Sequence, residues 1–338
     1  MYIKRTGTTK LPSIDLSYRQ VFKNKTSDNQ TVHKTMIANK IQSGFFTQED
    51  IEILKFIFKF GCVSLEQIYR FVSLLVEDNS DVTFGKVEAN LEKLVNLKII
   101  HKYMLADNMY ENMRDDAFFL YCLNAGGAYV LKYHSDSEEI INWAMFREIK
   151  DASKILKSLT AAEFYLDIHE TCPEKLEFFD FMPELKVGKF SVVPSFIFCL
   201  NRGEKGSKLS YFIGEIYNDA PTGLDTSKDN LTTFSKKIGR IEEFLQGDWN
   251  KKYGDEAAMD VPMLLVIGNP KEDMTAIELM SILSRVVAQS GIDKFRLSSL
   301  EFINHRDLSE AGVLFKYKPE ENKMVKIRAA NFKRVEDK

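Results

Sequence analysis

The acidic side chains best placed to do chemistry surround one apolar segment near the middle of the chain. Glu215 lies inside this segment (208–218), Asp219 follows it directly, and Glu163 belongs to the helical stretch before it. Carboxylates that converge on a divalent ion polarise a phosphate and generate hydroxide, which cleaves a phosphodiester. Glu163, Glu215 and Asp219 are therefore the catalytic candidates if the chain is a nuclease. The alternative is that Glu215 only makes a structural hydrogen bond or faces water.

Other catalytic and cofactor signatures are missing from the sequence. The four cysteines are scattered without a C-x-x-C pair, and no histidines have the spacing of metal ligands. Phosphate-binding glycine loops are also absent, so nucleotide hydrolysis has no support. We therefore expect no metal site and no cofactor, with Mg²⁺ required only if the carboxylates form a nuclease centre. No apolar stretch has the length of a membrane span, and the cysteine usage favours a cytoplasmic protein without a membrane partner.

Positive charge concentrates at the N-terminus. Residues 1–40 contain eight lysines and arginines but two aspartates, whereas the whole chain has a net charge of −3. The polar composition without sustained periodicity predicts a flexible basic arm over 1–42. Such an arm can neutralise DNA phosphates, although a solvated tail without a ligand is the alternative. The candidate phosphate contacts in the arm are Lys4, Arg5, Lys23 and Lys25.

The segment 43–134 has the element order of a winged helix. Thr47 and Ser64 resemble the N-caps of two helices with apolar stripes, and a third helix is predicted at 84–97. Two strands joined by a polar loop follow, and three helices with a hairpin are typical of a winged helix. In that architecture the third helix enters the major groove. The candidate DNA contacts on this helix are Lys86, Asn90 and Lys93.

The charge of the third helix leaves two interpretations open. Glu88 and Glu92 are interspersed with its lysines, whereas a strong major-groove reader has more arginine and fewer carboxylates. The helix could therefore bind DNA weakly, or it could contact protein, for example a second copy of the chain in a homodimer.

Helices and strands alternate in the second half of the chain. The predicted order is helix 138–169, strands 176–185, 190–200 and 209–218, helix 229–246, strand 261–268, helix 275–290, and strands 295–303 and 313–317. This order predicts an α/β (α+β) domain at 138–318. A basic tail at 319–338 would follow it.

The two predicted domains together resemble the replication-relaxation family of plasmid and mobile-element proteins. The similar segments are VEANLEKLVNLKII, FFLYCLNAGGAYVL, VVPSFIFCL, YFIGEIYND and FSKKIGRIEEFL. The similarity extends over residues 45–305. It implies an N-terminal winged helix-turn-helix followed by a restriction-endonuclease-like αβββαβ domain.

The same resemblance indicates where a nuclease centre would be incomplete. Family members carry Pro-Asp where this chain has Pro194 and Ser195, and an acidic residue on the next strand, which Glu215 matches. Nucleases of this fold also use a Glu-x-Lys motif there, but Tyr217 replaces the lysine. Ser195 supplies no negative charge and Tyr217 supplies no cation. The resemblance therefore implies a domain that no longer cleaves DNA.

These observations predict a non-catalytic accessory protein that binds duplex DNA for a plasmid, conjugative element or phage, in replication, relaxation or transfer. The winged helix and the basic arm would hold the DNA, and other replication or transfer proteins could dock on the nuclease-like domain. Two alternatives stay open. One is a metal-dependent DNA nuclease with a rearranged carboxylate site, and the other is a protein-binding scaffold that oligomerises without contacting DNA.

Overall fold

The computed structural model of the protein describes residues 4–5, 8–9, 20–24, 34–76, 82–107, 118–134, 140, 152–201, 209–219, 230–247, 249, 253, 261–270, 273–305, 308, 310–328 and 332. The chain divides into two compact units, Met1–Ala162 and Glu163–Lys338, each with its own main sheet. Among the described residues, no helix combines the length and apolar character that a membrane crossing requires.

The first unit combines short helices with a small antiparallel sheet. Its helices are α1 (Lys34–Gln42), α2 (Gln48–Phe60), α3 (Leu65–Leu75), α4 (Phe84–Asn96), α5 (Ala125–His134) and the first part of α6 (Ala152–Thr171). Its strands are β1 (Lys4–Arg5), β2 (Thr8–Thr9), β3 (Gln20–Asn24), β4 (Cys62–Ser64), β5 (Ile100–Asp107) and β6 (Phe118–Leu123). The sheet has the order β3-β5-β6-β4, and β1 pairs with β2. The predicted helix at 84–97 thus forms as α4.

Capping boxes start α2 and α3, as their sequences predict. The Thr47 hydroxyl accepts a hydrogen bond from the Asp50 N–H over 3.1 Å, and the Asp50 carboxylate accepts one from the Thr47 N–H over 2.9 Å. Ser64 and Gln67 repeat the arrangement at 3.1 and 3.2 Å. Because each pair is three residues apart, local sequence is sufficient to define these helix starts.

The N-terminal segment differs from the predicted flexible arm. Its last nine residues form α1, in which Ile37 and Ile41 are buried. Further upstream, β3 pairs with β5 from Gln20 opposite Asp107 to Asn24 opposite Tyr103. The four-residue spacing of the two isoleucines gives α1 one apolar face, which is enough to pack a short helix. Part of 1–42 therefore belongs to the compact unit.

The second unit contains a seven-stranded mixed sheet with the order β15-β14-β13-β12-β11-β10-β7. Its strands are β7 (Leu176–Phe181), β8 (Leu185–Val187), β9 (Phe190–Val192), β10 (Phe196–Asn201), β11 (Leu209–Asn218), β12 (Met263–Asn269), β13 (Phe295–Ser299), β14 (Leu314–Lys318) and β15 (Lys323–Ile327). Its helices are α7 (Leu231–Gly247), α8 (Ala276–Gln289) and α9 (Leu300–His305). Strands β11, β12 and β13 are parallel, and the remaining neighbours are antiparallel. The mixed α/β class predicted from the sequence is confirmed.

Three predicted strands are shorter than expected. The strand predicted at 176–185 ends at Phe181, and Leu185 begins β8. The segment 190–200 divides into β9, which forms a separate hairpin with β8 across Gly188, and β10, which joins the main sheet. Pro194 lies between them and has no N–H to donate to a sheet ladder, which explains the break. The predicted strand at 295–303 ends at Ser299. The Ser299 hydroxyl accepts a hydrogen bond from the Phe302 N–H over 3.3 Å, at the start of α9.

The C-terminal segment is also not simply a tail. Residues 323–327 form β15, which extends the main sheet beyond β14, and Phe332 is buried. Its ring contacts Phe164, Phe198 and Phe212. The mixture of lysines and apolar residues in β15 suits a strand at a sheet edge, where one face is wet.

The two faces of the main sheet pack against different helices. On one face, Ile197, Ile213 and Tyr217 share a buried cluster with apolar residues of α7 and α8. On the other face, Phe164 of α6 stacks against Phe196 with ring centroids 5.3 Å apart. Side chains alternate between faces along a strand, so each candidate residue can be assigned to the α7 side or the α6 side.

Candidate functional site

Glu215 occupies a central position in the main sheet. It lies on β11, between β10 and β12, on the same face as Ile213 and Tyr217 and therefore under α7. It is 2% exposed. A carboxylate at such a depth requires charge compensation and hydrogen-bond donors, because its ionised form is strongly disfavoured in an apolar interior.

Three groups supply that compensation. The Lys237 ammonium of α7 lies 2.6 Å from Oε1 of Glu215. The Ser195 N–H donates to Oε2 over 3.2 Å, and the Ser195 hydroxyl lies 3.4 Å from the same oxygen. Ser195 is itself fixed, because its hydroxyl accepts from the Ile216 N–H over 3.0 Å. Both carboxylate oxygens are therefore in use.

The packing around Gly214 fixes the register that brings Ser195 beside Glu215. Gly214 is paired with Phe196 across β10 and β11. A Cβ at position 214 would lie 2.1 Å from the Phe196 ring, so the ring occupies the space that any other residue would need. A one-residue shift of this pairing would move Glu215 to the other face of the sheet.

The other two carboxylate candidates do not complete a metal centre. Glu163 is fully buried on α6, next to Phe164, whose ring packs on the face of the sheet opposite to Glu215. Asp219 follows β11, where its carboxylate accepts from the Tyr217 hydroxyl over 3.3 Å and its N–H donates to the Asn269 carbonyl over 3.0 Å. Among the described residues, no group of three or more His, Cys, Asp or Glu side chains could hold a metal ion.

Lys237 was not assigned to the carboxylate site from the sequence, because adjacent lysines such as Lys236 and Lys237 more often form a solvated helix face or approach a phosphate. It was recognisable from its position, since Phe234, Ile238 and Ile241 form the buried stripe of α7 and Lys237 falls within that stripe. A lysine there points its ammonium toward the sheet, and its side chain is 23% exposed. The ion pair places a cation beside Glu215 even though Tyr217 occupies the position where the resemblance expected lysine.

The polar side chains of α4 bind the neighbouring helix α2. The Asn90 side-chain amide donates to Glu49 over 3.3 Å, and the Lys93 ammonium lies 3.1 Å from the Asp50 carboxylate. Lys86 is exposed at the start of α4. Of the three predicted DNA contacts on this helix, two are therefore engaged with carboxylates of the same unit.

Three carboxylates of α3 and α4 lie near the buried ring of Tyr121. Burial raises the pKa of Tyr121, and the nearby carboxylates of Glu92, Glu88 and Glu66 raise it further, so acidic groups surround this part of α3 and α4. Glu92 also pairs with Lys102. Carboxylates close to a DNA-binding helix repel phosphates unless basic residues outweigh them.

The ring of Phe45 lies beside two lysines, one on α1 and one on α4. Its ring lies 3.8 Å from the Lys40 ammonium and 5.0 Å from that of Lys93. Such cation–π contacts contribute modestly at partly exposed sites. Lys93 is thus held by both a carboxylate and a ring.

Three of the four predicted phosphate contacts of the basic arm belong to short strands. Lys4 and Arg5 form β1, and Lys23 belongs to β3, where it is paired with Met104. Lys25 lies outside the described residues.

No protein-family model, curated protein or solved structure matches the chain. The candidate function therefore depends on the residues and their geometry.

Proposed function

We propose that the chain is a non-catalytic accessory protein that binds duplex DNA, in the manner implied by its resemblance to the replication-relaxation family. In this proposal α2, β4, α3, α4, β5 and β6 form a winged helix, and the second unit is a restriction-endonuclease-like domain that has lost its cleavage chemistry. The biological setting would be a plasmid, conjugative element or phage.

One observation carries the non-catalytic part of the proposal. Glu215 is held by Lys237 at 2.6 Å and by the Ser195 N–H at 3.2 Å. A divalent ion at this position would have to displace the ammonium, and among the described residues no group of three or more His, Cys, Asp or Glu side chains is placed to hold it. The residues around Glu215 thus satisfy it as a structural group.

The element order of the first unit supports DNA binding. Helices α2, α3 and α4 are followed by the β5–β6 hairpin, and β4 pairs with β6 to complete a small sheet. This is the order in which winged helices present a helix and a hairpin to duplex DNA. Asn90 and Lys93 are bound to Glu49 and Asp50. The proposal assigns α4 a phosphate contact through Lys86, which is exposed at the start of the helix.

A salt-titrated binding assay with long duplex DNA tests the proposal. With about six phosphate contacts, affinity should fall on the order of 10³-fold between 50 and 200 mM salt. Replacing Lys4, Arg5, Lys23 and Lys25 by alanine should lower the salt slope by about 3.6. Replacing four exposed lysines elsewhere by alanine should leave the salt slope unchanged. The matched control replaces Lys55, Lys132, Lys186 and Lys189. An absence of binding at low salt would contradict the proposal.

A protein-binding scaffold is the second candidate function. It is favoured by the engagement of Asn90 and Lys93 within their own unit and by the carboxylates around Tyr121. Sedimentation velocity distinguishes the two functions. A stable oligomer with no affinity for DNA would select the scaffold.

A further inference from the structure

The outer strands of the main sheet carry basic side chains on one face. Phe315 belongs to the buried cluster, and Tyr317 and Met324 pack against it. Because side chains alternate along a strand, Lys316, Lys318 and Lys323 project from the opposite face. Lys316 and Lys323 are exposed.

Arg296 on β13 continues this face. Its neighbours Phe295 and Leu297 are in the buried cluster, so Arg296 also projects from the opposite side. The antiparallel register that pairs Leu297 with Phe315 brings Arg296 next to Lys316. We call Arg296, Lys316, Lys318 and Lys323 the basic face.

The positive charge of the basic face is mostly uncompensated. Lys318 pairs with Glu321 at 2.7 Å. In the part of the chain that the structure describes, no carboxylate pairs with Arg296, Lys316 or Lys323. Arg296 Nη1 donates to the Phe295 carbonyl over 2.7 Å, which leaves its other donors available. Burial lowers the pKa of its guanidinium, so an anion nearby would stabilise the charged form.

We propose that the basic face binds the phosphate backbone of duplex DNA and gives the second unit a DNA contact of its own. This inference rests on the proposed function, which it extends from the first unit to the second. Neighbouring strands are about 4.8 Å apart, so β13 to β15 span about 10 Å. One DNA strand presents about three phosphates over that length.

The chemistry of the face favours duplex rather than single-stranded DNA. Arginine forks and lysines suit phosphate oxygens. Single strands are usually held by aromatic side chains on which the bases stack. On the described strands β13, β14 and β15, the residues that project with the basic face include serine, leucine, valine and isoleucine but no aromatic residue.

A charge-matched pair of variants tests the inference. The test variant combines Lys316→Gln with Lys323→Gln, both exposed residues of the basic face. The control combines Lys326→Gln on β15 with Arg328→Gln just after it. Both side chains project from the same face as Met324, which is opposite to the basic face. For the test variant the salt slope with duplex DNA should fall by about 1.8, with an affinity loss on the order of 50-fold at 0.1 M salt. The control should bind as the wild type does.

Further outcomes separate this inference from the proposed function. Adding Arg296→Gln to the test variant should lower the slope by about 0.9 more. Wild-type binding with equal slopes in test and control variants would overturn the inference alone. A wild type that does not bind duplex DNA would overturn the proposed function and the inference together. Stronger competition by single-stranded than by duplex DNA would overturn the choice of ligand.

Discussion

Each unit contains a buried carboxylate paired with a partly exposed lysine, and the two pairs are built differently. In the first unit, Asp50 is fully buried and lies 3.1 Å from Lys93, whose side chain is 35% exposed. In the second unit, Glu215 is 3% exposed at its side chain and lies 2.6 Å from Lys237, which is 23% exposed. The distances and exposures are similar, but the remaining partners of the two carboxylates are not.

Asp50 takes one of its two partners from the start of its own helix. It accepts from the Thr47 N–H at the start of α2, where the helix dipole favours negative charge. Glu215 lies within a strand, so no helix terminus supports it, and its partners come from β10 and α7. Both contacts of Asp50 go to Oδ2, and its buried Oδ1 has no hydrogen-bond partner among the described residues, whereas both oxygens of Glu215 are engaged. Asp50 has the support of a helix N-terminus and Glu215 does not, so we expect Glu215 to depend more on its lysine.

The largest expected effect is that of Lys237→Met. Removing one partner of a buried pair leaves a buried charge, which should lower the free energy of unfolding by about 3 kcal/mol. Urea unfolding, monitored by hydrogen exchange of peptides from the second unit, measures this loss. The control is Lys236→Met, which removes an exposed charge from the same helix and should change little. Equal effects of the two variants would show that Glu215 does not depend on Lys237.

Asp50→Ala should have the next largest effect. It removes the bond from the Thr47 N–H to the Asp50 carboxylate, whereas the Thr47 hydroxyl keeps its bond to the backbone N–H of residue 50. Lys93 can reach solvent, so the expected loss is about 1.5 kcal/mol. Thermal unfolding of the variant measures it. Asp50→Asn keeps a cap acceptor and should lose less. A loss in Asp50→Asn as large as in Asp50→Ala would mean that the ion pair, not the cap, stabilises this helix start.

Ser195→Ala sharpens the account of Glu215. The variant leaves the buried Ile216 N–H without its acceptor and should cost about 1 kcal/mol. Ser210→Ala on β11 is a matched control, because the buried Ser210 hydroxyl has no hydrogen-bond partner. Its removal should be neutral or stabilising. If both serine variants behaved alike, the Ser195 hydroxyl would have no structural role.

Lys93→Met should cost about 1 kcal/mol, less than Lys237→Met, because the buried Asp50 keeps its bond to the Thr47 N–H and the favourable field of a helix N-terminus. Comparing the unfolding free energies of Lys93→Met and Lys237→Met tests the difference between the two regions directly. Equal losses would show that the two lysines contribute equally to their carboxylates.

Local sequence was sufficient for features whose partners are close in the chain. Thr47 with Asp50 and Ser64 with Gln67 could be predicted because three residues separate the partners. The ion pair of Glu215 with Lys237 spans 22 residues and depends on how α7 packs on the sheet. β15 was missed for a similar reason, since a short basic segment without clear alternation becomes a strand only when it pairs with a sheet edge.

The central claim is that the chain binds duplex DNA without cutting it, and supercoiled plasmid tests both parts at once. Purified protein is incubated with the plasmid in Mg²⁺ or Mn²⁺ across the salt titration, and half of each sample is deproteinised before electrophoresis. The account predicts a salt-sensitive shift of the bound plasmid and fully supercoiled DNA after deproteinisation. Nicked or linear product that disappears with Glu215→Gln would contradict it.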